Sequence, residues 1–318
     1  PRMADEFDII RTYFAPLAKT PGALGLTDDA AIFATAPGFE HVVTTDAIVQ
    51  GVHFLDDEAP ENIAAKLVGS NLSDLAAMGA TPVGFTLACA WPKATTEAFI
   101  KGFADGLKPW VEDYRFPLLG GDTVSTPGPL VFSLTAIGTV KAGTALTRGG
   151  AKPGDTVYVT GTIGDSALGL KAARGALANL SQTDRAFLAD RYRVPKPRVQ
   201  AGQGLVGQAH AAIDISDGLM QDLGHIAEVS GVSIEIDVDA VPLSPAATSA
   251  LARDKSLITR VLGGGDDYEL AFTADTMPLG LDVPITAIGQ VRAGPASVQV
   301  TKNGTPLELE SLGFRHFA

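Results

Sequence analysis

The residues in this sequence best suited to chemistry are aspartates, and they recur at six stations. These are Asp28 and Asp29 in "GLTDDAAIF", Asp46 in "VTTDAIVQGVHF", Asp74 in "NLSDLAAMG", Asp122 in "LLGGDT", Asp214 and Asp217 in "IDISDGL", and Asp266 and Asp267 in "GGGDDYEL". Apolar or glycine residues flank each of them, whereas a solvated face interleaves both signs of charge. Several carboxylates close together are tolerable only if protonated, hydrogen-bonded or metal-bound. Hard oxygen donors with no His or Cys cluster favour Mg2+ over zinc or copper. Mg2+ is usually held by a few carboxylates together with substrate phosphates, so the implied ligand is a nucleotide or another phosphoester. Plain structural roles compete: Asp217 is equally an N-cap, and Asp28 equally a turn residue. Asp74 falls in mid-helix, on a face with Asn71 and Met78, where capping has no part and an unpartnered buried carboxylate is costly.

Periodicity predicts the elements that must position these groups. A first helix covers 5–17, with Phe7, Ile10, Phe14 and Leu17 at helical spacing. A β-branched strand at 41–48 runs into a loop, and a helix spans 60–79, with Pro60 at its start and Gly79 at its stop. A strand at 83–90 turns Val83, Phe85, Leu87 and Cys89 to one side, and a helix at about 95–114 carries Phe99, Phe103, Leu107, Trp110 and Tyr114 on one face. "FPLLGGD" and residues 130–140 supply further strands. The stations then fall at strand ends or helix turns, converging on a sheet edge where α/β folds bind ligands. "KAGTALTRGGAKPGD" (141–155) is rich in Gly, Lys and Thr and marks a boundary between domains of residues 1–145 and 146–318. Strands in "TVYVTG", "AAIDIS" and "VSIEIDV" and an Asn-Gly hairpin at 302–305 follow. The fold class is α/β (α+β), as two mixed domains.

The 318 residues suit two domains at roughly 150 each. With 46% hydrophobic and 19% charged residues, the chain has ample core material and is not disordered. No apolar run reaches the roughly 18–20 residues of a membrane span, and "PRMADEFD" has no signal-peptide core. The single cysteine, Cys89, excludes an internal disulfide and a Cys-based zinc site. Together these features predict a cytoplasmic protein. A net charge of −12 argues against nucleic-acid binding. It leaves phosphate ligands open, provided divalent metals lie between the two sets of negative charge. There is no P-loop and no protein-kinase signature. Gly202, Gly204 and Gly207 match G-x-G-x-x-G, but no strand precedes them, so they read as helix-packing glycines.

"DDAAIF", "TTDAIVQGVHF", "NLSDLAAMGATP", "LLGGDT", "ALTRGGAKPGD", "VTGTIGDSALGL", "AIDISDGL" and "GGDDYEL" together resemble the thiamine-monophosphate kinase family, in its order and over nearly the whole chain. That family lies in a superfamily with aminoimidazole ribonucleotide synthetase and selenophosphate synthetase. The resemblance implies the aminoimidazole ribonucleotide synthetase-like fold, with an N-terminal metal- and ATP-binding domain that joins a homodimer and a C-terminal domain that completes the site. It implies ATP-dependent, Mg2+-assisted phosphorylation of thiamine monophosphate to thiamine diphosphate. By motif position Asp29, Thr44, Thr45, Asp46, Asp74, Asp122, Asp214 and Asp217 correspond to Mg2+ ligands. Gly121, Asp122, Arg148 and Ser216 correspond to ATP contacts, and His53, Asp266 and Phe314 to substrate contacts. Two positions depart from the pattern: Thr27 stands where the family has Gly, and Asp266 where it has Glu.

The chemistry fits these residues. The acceptor is a phosphate monoester with a second pKa near 6, so it is mostly a nucleophilic dianion at pH 7. No general base is required and none is assigned, and His53 reads as a binding donor. Arg148, in the Gly-rich linker, is free to reach a phosphate oxygen. Two other readings remain open. A sister enzyme of the superfamily is one, although selenophosphate synthesis would need a reactive Cys or selenocysteine near the N-terminus. The other is a metal-stabilised protein that binds nucleotide or thiamine phosphate without turnover.

Overall fold

The structure, a computed structural model, describes residues 10–20, 35–302 and 304–307. Asp28, Asp29, Thr27 and Phe314 lie outside the described residues, as does the start of the expected first helix. The described part of that segment is a π-helical turn at Ile10–Phe14 followed by a 3-10 turn at Ala15–Leu17, not one α-helix. Pro16 has no N–H to continue an α-helical ladder, which favours a short tight turn. Phe14 and Leu17 are buried, as their spacing predicts.

The chain divides into two compact units, Pro1–Leu75 with Ala80–Gly143, and Ala76–Gly79 with Thr144–Ala318. The first holds a four-stranded sheet of β1 (Phe39–Val49), β2 (Thr81–Pro92), β3 (Leu118–Thr126) and β4 (Val131–Lys141), in the order β1-β4-β2-β3. Two helices, α1 (Pro60–Ala77) and α2 (Glu97–Asp113), also belong to this part of the chain. Phe85, Leu87, Cys89 and Trp91 of β2 are buried. Trp91, Phe103 and Phe132 form one aromatic cluster, with Phe103 and Phe132 stacked at 4.4 Å between ring centroids. The buried stripe of α2 is Ile100, Phe103, Ala104, Leu107 and Val111. It is rotated from the expected face: Phe99, Trp110 and Tyr114 are only half-buried, and Trp110 stacks on Tyr114 at the margin. Small residues let the helix sit close, and the larger rings occupy its border.

The second unit is built on a seven-stranded mixed sheet. In chain order its strands are β5 (Thr156–Thr160), β6 (Ala211–Asp214), β7 (Ser233–Asp237), β8 (Leu270–Ala274), β9 (Ile285–Arg292), β10 (Ser297–Lys302) and β11 (Thr305–Pro306). The spatial order is β11-β10-β7-β9-β5-β8-β6, so β6 is an edge strand. Lys302 pairs with Thr305 across the expected hairpin. Helices α3 (Asp165–Ala173), α4 (Gln182–Arg193), α5 (Val199–Leu205), α6 (Leu219–Ser230), α7 (Pro245–Arg253) and α8 (Ile258–Gly263) complete the unit. Gly202 and Gly204 lie within α5, which no strand immediately precedes.

Candidate active site

In the first unit, β1 and α1 bring polar groups of four residues together. Alternate residues of a strand share a face, so Thr44 and Asp46 point to the same side as buried Ile48. Asn71 and Asp74, three apart, share a face of α1. The Thr44 hydroxyl donates to Asp74 Oδ2 at 2.6 Å, and the Asp46 N–H donates to Asn71 Oδ1 at 3.2 Å. Asn71 is fully buried, and its Nδ2 donates to the Leu67 carbonyl at 2.8 Å, which sets the direction of its amide. The mid-helix carboxylate of Asp74 thus has a partner, and the assembled donors are oxygen atoms suited to a hard cation.

Thr45 and Asp122 are not part of this group. Thr45 pairs with Thr135, and its hydroxyl accepts from Thr135 at 3.1 Å on the opposite, open face of the sheet. Asp122 pairs with exposed Ala88 and is itself exposed on that same open face. Asp46 and Asp122 lie inside the two edge strands rather than at strand ends, so the expected convergence on one sheet edge does not occur within this unit. Gly121 has a structural reason of its own: a Cβ there would stand 2.1 Å from the Leu87 carbonyl oxygen. His53 follows β1, and its Nδ1 accepts the Val49 N–H at 3.0 Å. In the neutral ring the proton is therefore on Nε2.

In the second unit, the loop after β6 and the loop before β8 meet. The Asp266 N–H donates to the Ser216 carbonyl and the Tyr268 N–H to the Ile215 carbonyl, both at 2.8 Å. A Cβ on Gly265 would lie 2.1 Å from the Ser216 oxygen, so glycine is what allows this approach. Asp214, Ser216, Asp217 and Asp266 are thereby gathered at one end of the β6–β8 pair. Asp222 Oδ2 accepts three backbone N–H bonds, from Ser216, Asp217 and Gly218, at 3.0–3.1 Å. Burial, and then the neighbouring Asp217 charge, push the Asp222 carboxyl up to about 7 against the pull of those amides. Asp217, Asp222 and His225 bring ligand atoms within 4.8 Å of one another, a grouping of a kind that could hold a cation. Asp222 and His225 did not stand out in the sequence, although both sit on the helical repeat that follows Asp217 in "SDGLMQDLGHI".

The N-terminus of α3 is closed in a similar way. Asp267, buried, accepts from Gly164 N at 2.7 Å and from Ser166 N at 3.2 Å. Burial raises its carboxyl to about 8, with a smaller push from Asp165, against the amides and Arg191. Amides at helix N-termini are ready-made phosphate cradles; at α3 the Asp267 side chain takes two of them, and Asp222 takes the three loop amides that lead into α6.

Arg148 belongs to a segment that is strapped down rather than loose. The Ala212 N–H donates to the Thr147 carbonyl at 2.9 Å, and the Ser230 hydroxyl donates to the Arg148 carbonyl at 3.0 Å. Ser230 Oγ also accepts from Gly150 N and Ala151 N, both at 3.2 Å. Beside β6, the Arg148 side chain is exposed.

The model for AIR synthase related protein, N-terminal domain, matches residues 27–140, and that for the C-terminal domain matches residues 152–273. Thiamine-monophosphate kinase of Salmonella typhimurium is 41% identical over 323 residues, covering 98% of each chain. The chain belongs to the thiamine-monophosphate kinase family. The family member of Caulobacter vibrioides is 42% identical over 312 residues, covering 96% of this chain and 85% of its own. The crystal structure of thiamine-monophosphate kinase from Stenotrophomonas maltophilia K279a matches with a TM-score of 0.82 at 40% identity, covering 92% of this chain and 94% of its own. A structure of AaThiL complexed with AMPPCP and TMP matches with a TM-score of 0.81 at 30% identity, covering 98% and 97%. Hydrogenase maturation protein HypE in complex with ATP, at 19% identity and a TM-score of 0.78, shares the fold.

Proposed function

We propose that this chain transfers the γ-phosphoryl group of ATP directly to the phosphate of thiamine monophosphate, forming thiamine diphosphate in the last step of that cofactor's synthesis. The observation that carries this reading is the match, over 98% of the chain, to a family structure complexed with AMPPCP and TMP. AMPPCP is a non-transferable analogue of ATP, so both reactants of such a transfer are represented there.

The aspartates are read as Mg2+ ligands because carboxylate oxygens are hard donors and Asp74 stands against the Thr44 hydroxyl. Thr44, Asp46 and Asp74 would hold metal from the first unit, with Asp29, and Asp214 and Asp217 from the second. Thr45 and Asp122 would contribute from the open face of the first sheet. Bound Mg2+ would neutralise the repulsion between two phosphate-bearing reactants and stabilise the equatorial oxygens of an in-line transfer. Gly121, Asp122, Ser216 and Arg148 contact ATP, with Arg148 presented by a strapped backbone. His53, just after β1, is read as a substrate contact. The acceptor phosphate needs no general base. The cationic thiazolium meets the Asp266 carboxylate and the Phe314 ring.

The open face also carries Phe39, Val43 and Val124, exposed by 49%, 62% and 50%. These three exposed apolar side chains support a homodimer joined through the N-terminal domains. No described helix is long and apolar enough to cross a membrane, and we place the protein in the cytoplasm. The test is thiamine diphosphate formation from thiamine monophosphate, ATP and Mg2+, run beside Asp74→Asn and beside wild type in EDTA. Product from wild type with Mg2+ alone is expected. No product from folded wild type would move the reading to a sister enzyme or a binding protein.

A further inference from the structure

The loop that carries Asp266 has an unusual backbone. Asp266 and Tyr268 have φ of +67° and +52°, a region costly for residues that bear a side chain. It is held there from several directions. Besides the bonds from Asp266 N and Tyr268 N to the β6 loop, Asp267 is locked into the N-terminus of α3. Glu269 is fully buried against Arg198, Arg191 and Thr160. The outcome is a specific contact: the Tyr268 ring is buried, and its hydroxyl donates to Asp266 Oδ1 at 3.0 Å.

That contact has a chemical logic. A half-buried aspartate rotates among staggered positions about χ1, and a fixed donor selects one of them. The phenol is neutral at working pH, so it orients the carboxylate without cancelling its charge, as a lysine or arginine would. We propose that Tyr268 is a positioning residue for substrate recognition: its hydroxyl sets the Asp266 carboxylate to receive the cationic ring of thiamine monophosphate. This inference rests on Asp266 being a substrate contact.

The test is steady-state kinetics of wild type, Tyr268→Phe, Asp266→Ala and the double variant, with each substrate varied in turn. Tyr268→Phe keeps the buried ring and removes only the donor. It is expected to raise KM for thiamine monophosphate by about 3- to 10-fold, the effect of one ordinary hydrogen bond, with kcat and KM for ATP unchanged. In the double variant, KM should not rise beyond that of Asp266→Ala. An unchanged KM for thiamine monophosphate in Tyr268→Phe, or equal effects on both substrates, or additive effects in the double variant, would overturn the proposal. If Asp266→Ala itself leaves that KM unchanged, the substrate contact falls first and the positioning role with it.

Discussion

Replacing Glu269 by Gln probes what holds the candidate substrate loop in place. Glu269 is fully buried, and Arg198 donates to both of its oxygens at 2.6 Å. Arg191 donates to Oε1 at 3.1 Å, and Thr160 to Oε2 at 2.7 Å. Glutamine fills the same volume but offers one acceptor oxygen, and it turns an NH2 group toward donors where the second oxygen was. Arg191 Nη1 is already buried without a hydrogen-bond partner, so that guanidinium has no spare acceptor nearby. Each charge-assisted bond is worth about 1.5–3 kcal/mol, and breaking a buried ion pair costs about 3–5 kcal/mol. These figures describe the same atoms and do not add, so the expected loss is about 4 kcal/mol, a large share of a typical total of about 5–15 kcal/mol. Equilibrium urea unfolding followed by far-UV circular dichroism measures it. With a slope of about 2–3 kcal/mol/M, the midpoint should fall by about 1.3–2 M. A fall of less than about 0.3 M, under about 1 kcal/mol on the same slope, would refute the reasoning, because the buried charges would then not depend on one another.

Burial raises Asp267 to about 8 from an ordinary 3.8. The folded state therefore keeps a proton that the unfolded state releases, and this contribution to stability falls as pH climbs from about 4 to about 8. Thermal unfolding at pH 5.5 and 8.5 should show a smaller loss in Asp267→Asn than in wild type, and equal losses would contradict the assignment. Gly121→Ala should cost about 1–3 kcal/mol, since its Cβ would meet the Leu87 backbone, whereas Gly120→Ala meets nothing within 4 Å. Comparable denaturation midpoints for the two variants would show that the close approach is not a constraint.

Much of this architecture was legible because it is local. The β-branched runs and the Pro60-to-Gly79 pattern identify β1 and α1 from spacing alone, and the Asn-Gly hairpin announces itself by turn chemistry. The aspartate stations stood out by their apolar and glycine flanks, and the family resemblance then attached roles to them. What escaped was set by direction and by distant partners. Thr44 and Thr45 are consecutive in a strand and must face opposite ways, a consequence the motif match did not convey. Phe103 and Leu107 of the expected α2 stripe do pack inward, but Ile100, Ala104 and Val111 join them in place of Phe99, Trp110 and Tyr114, because aromatic size was taken for depth. The linker around Arg148 reads as loose by composition, yet Ser230, about 80 residues further on, straps it. Asp222 and Glu269 were not singled out: the amides on Asp222 come from the turn just before it, and the guanidiniums on Glu269 come from residues 78 and 71 positions away.

On the proposed function the aspartates hold Mg2+, and Mg2+ is what lets this acidic chain accept ATP. Isothermal titration of a non-transferable ATP analogue into the protein, with Mg2+ and again in EDTA, tests it most directly. Saturable binding is expected with Mg2+, and a loss of at least about 100-fold in affinity without it, close to 3 kcal/mol. Equal affinity in EDTA would mean that the chain cradles phosphate by itself, and it would contradict the account.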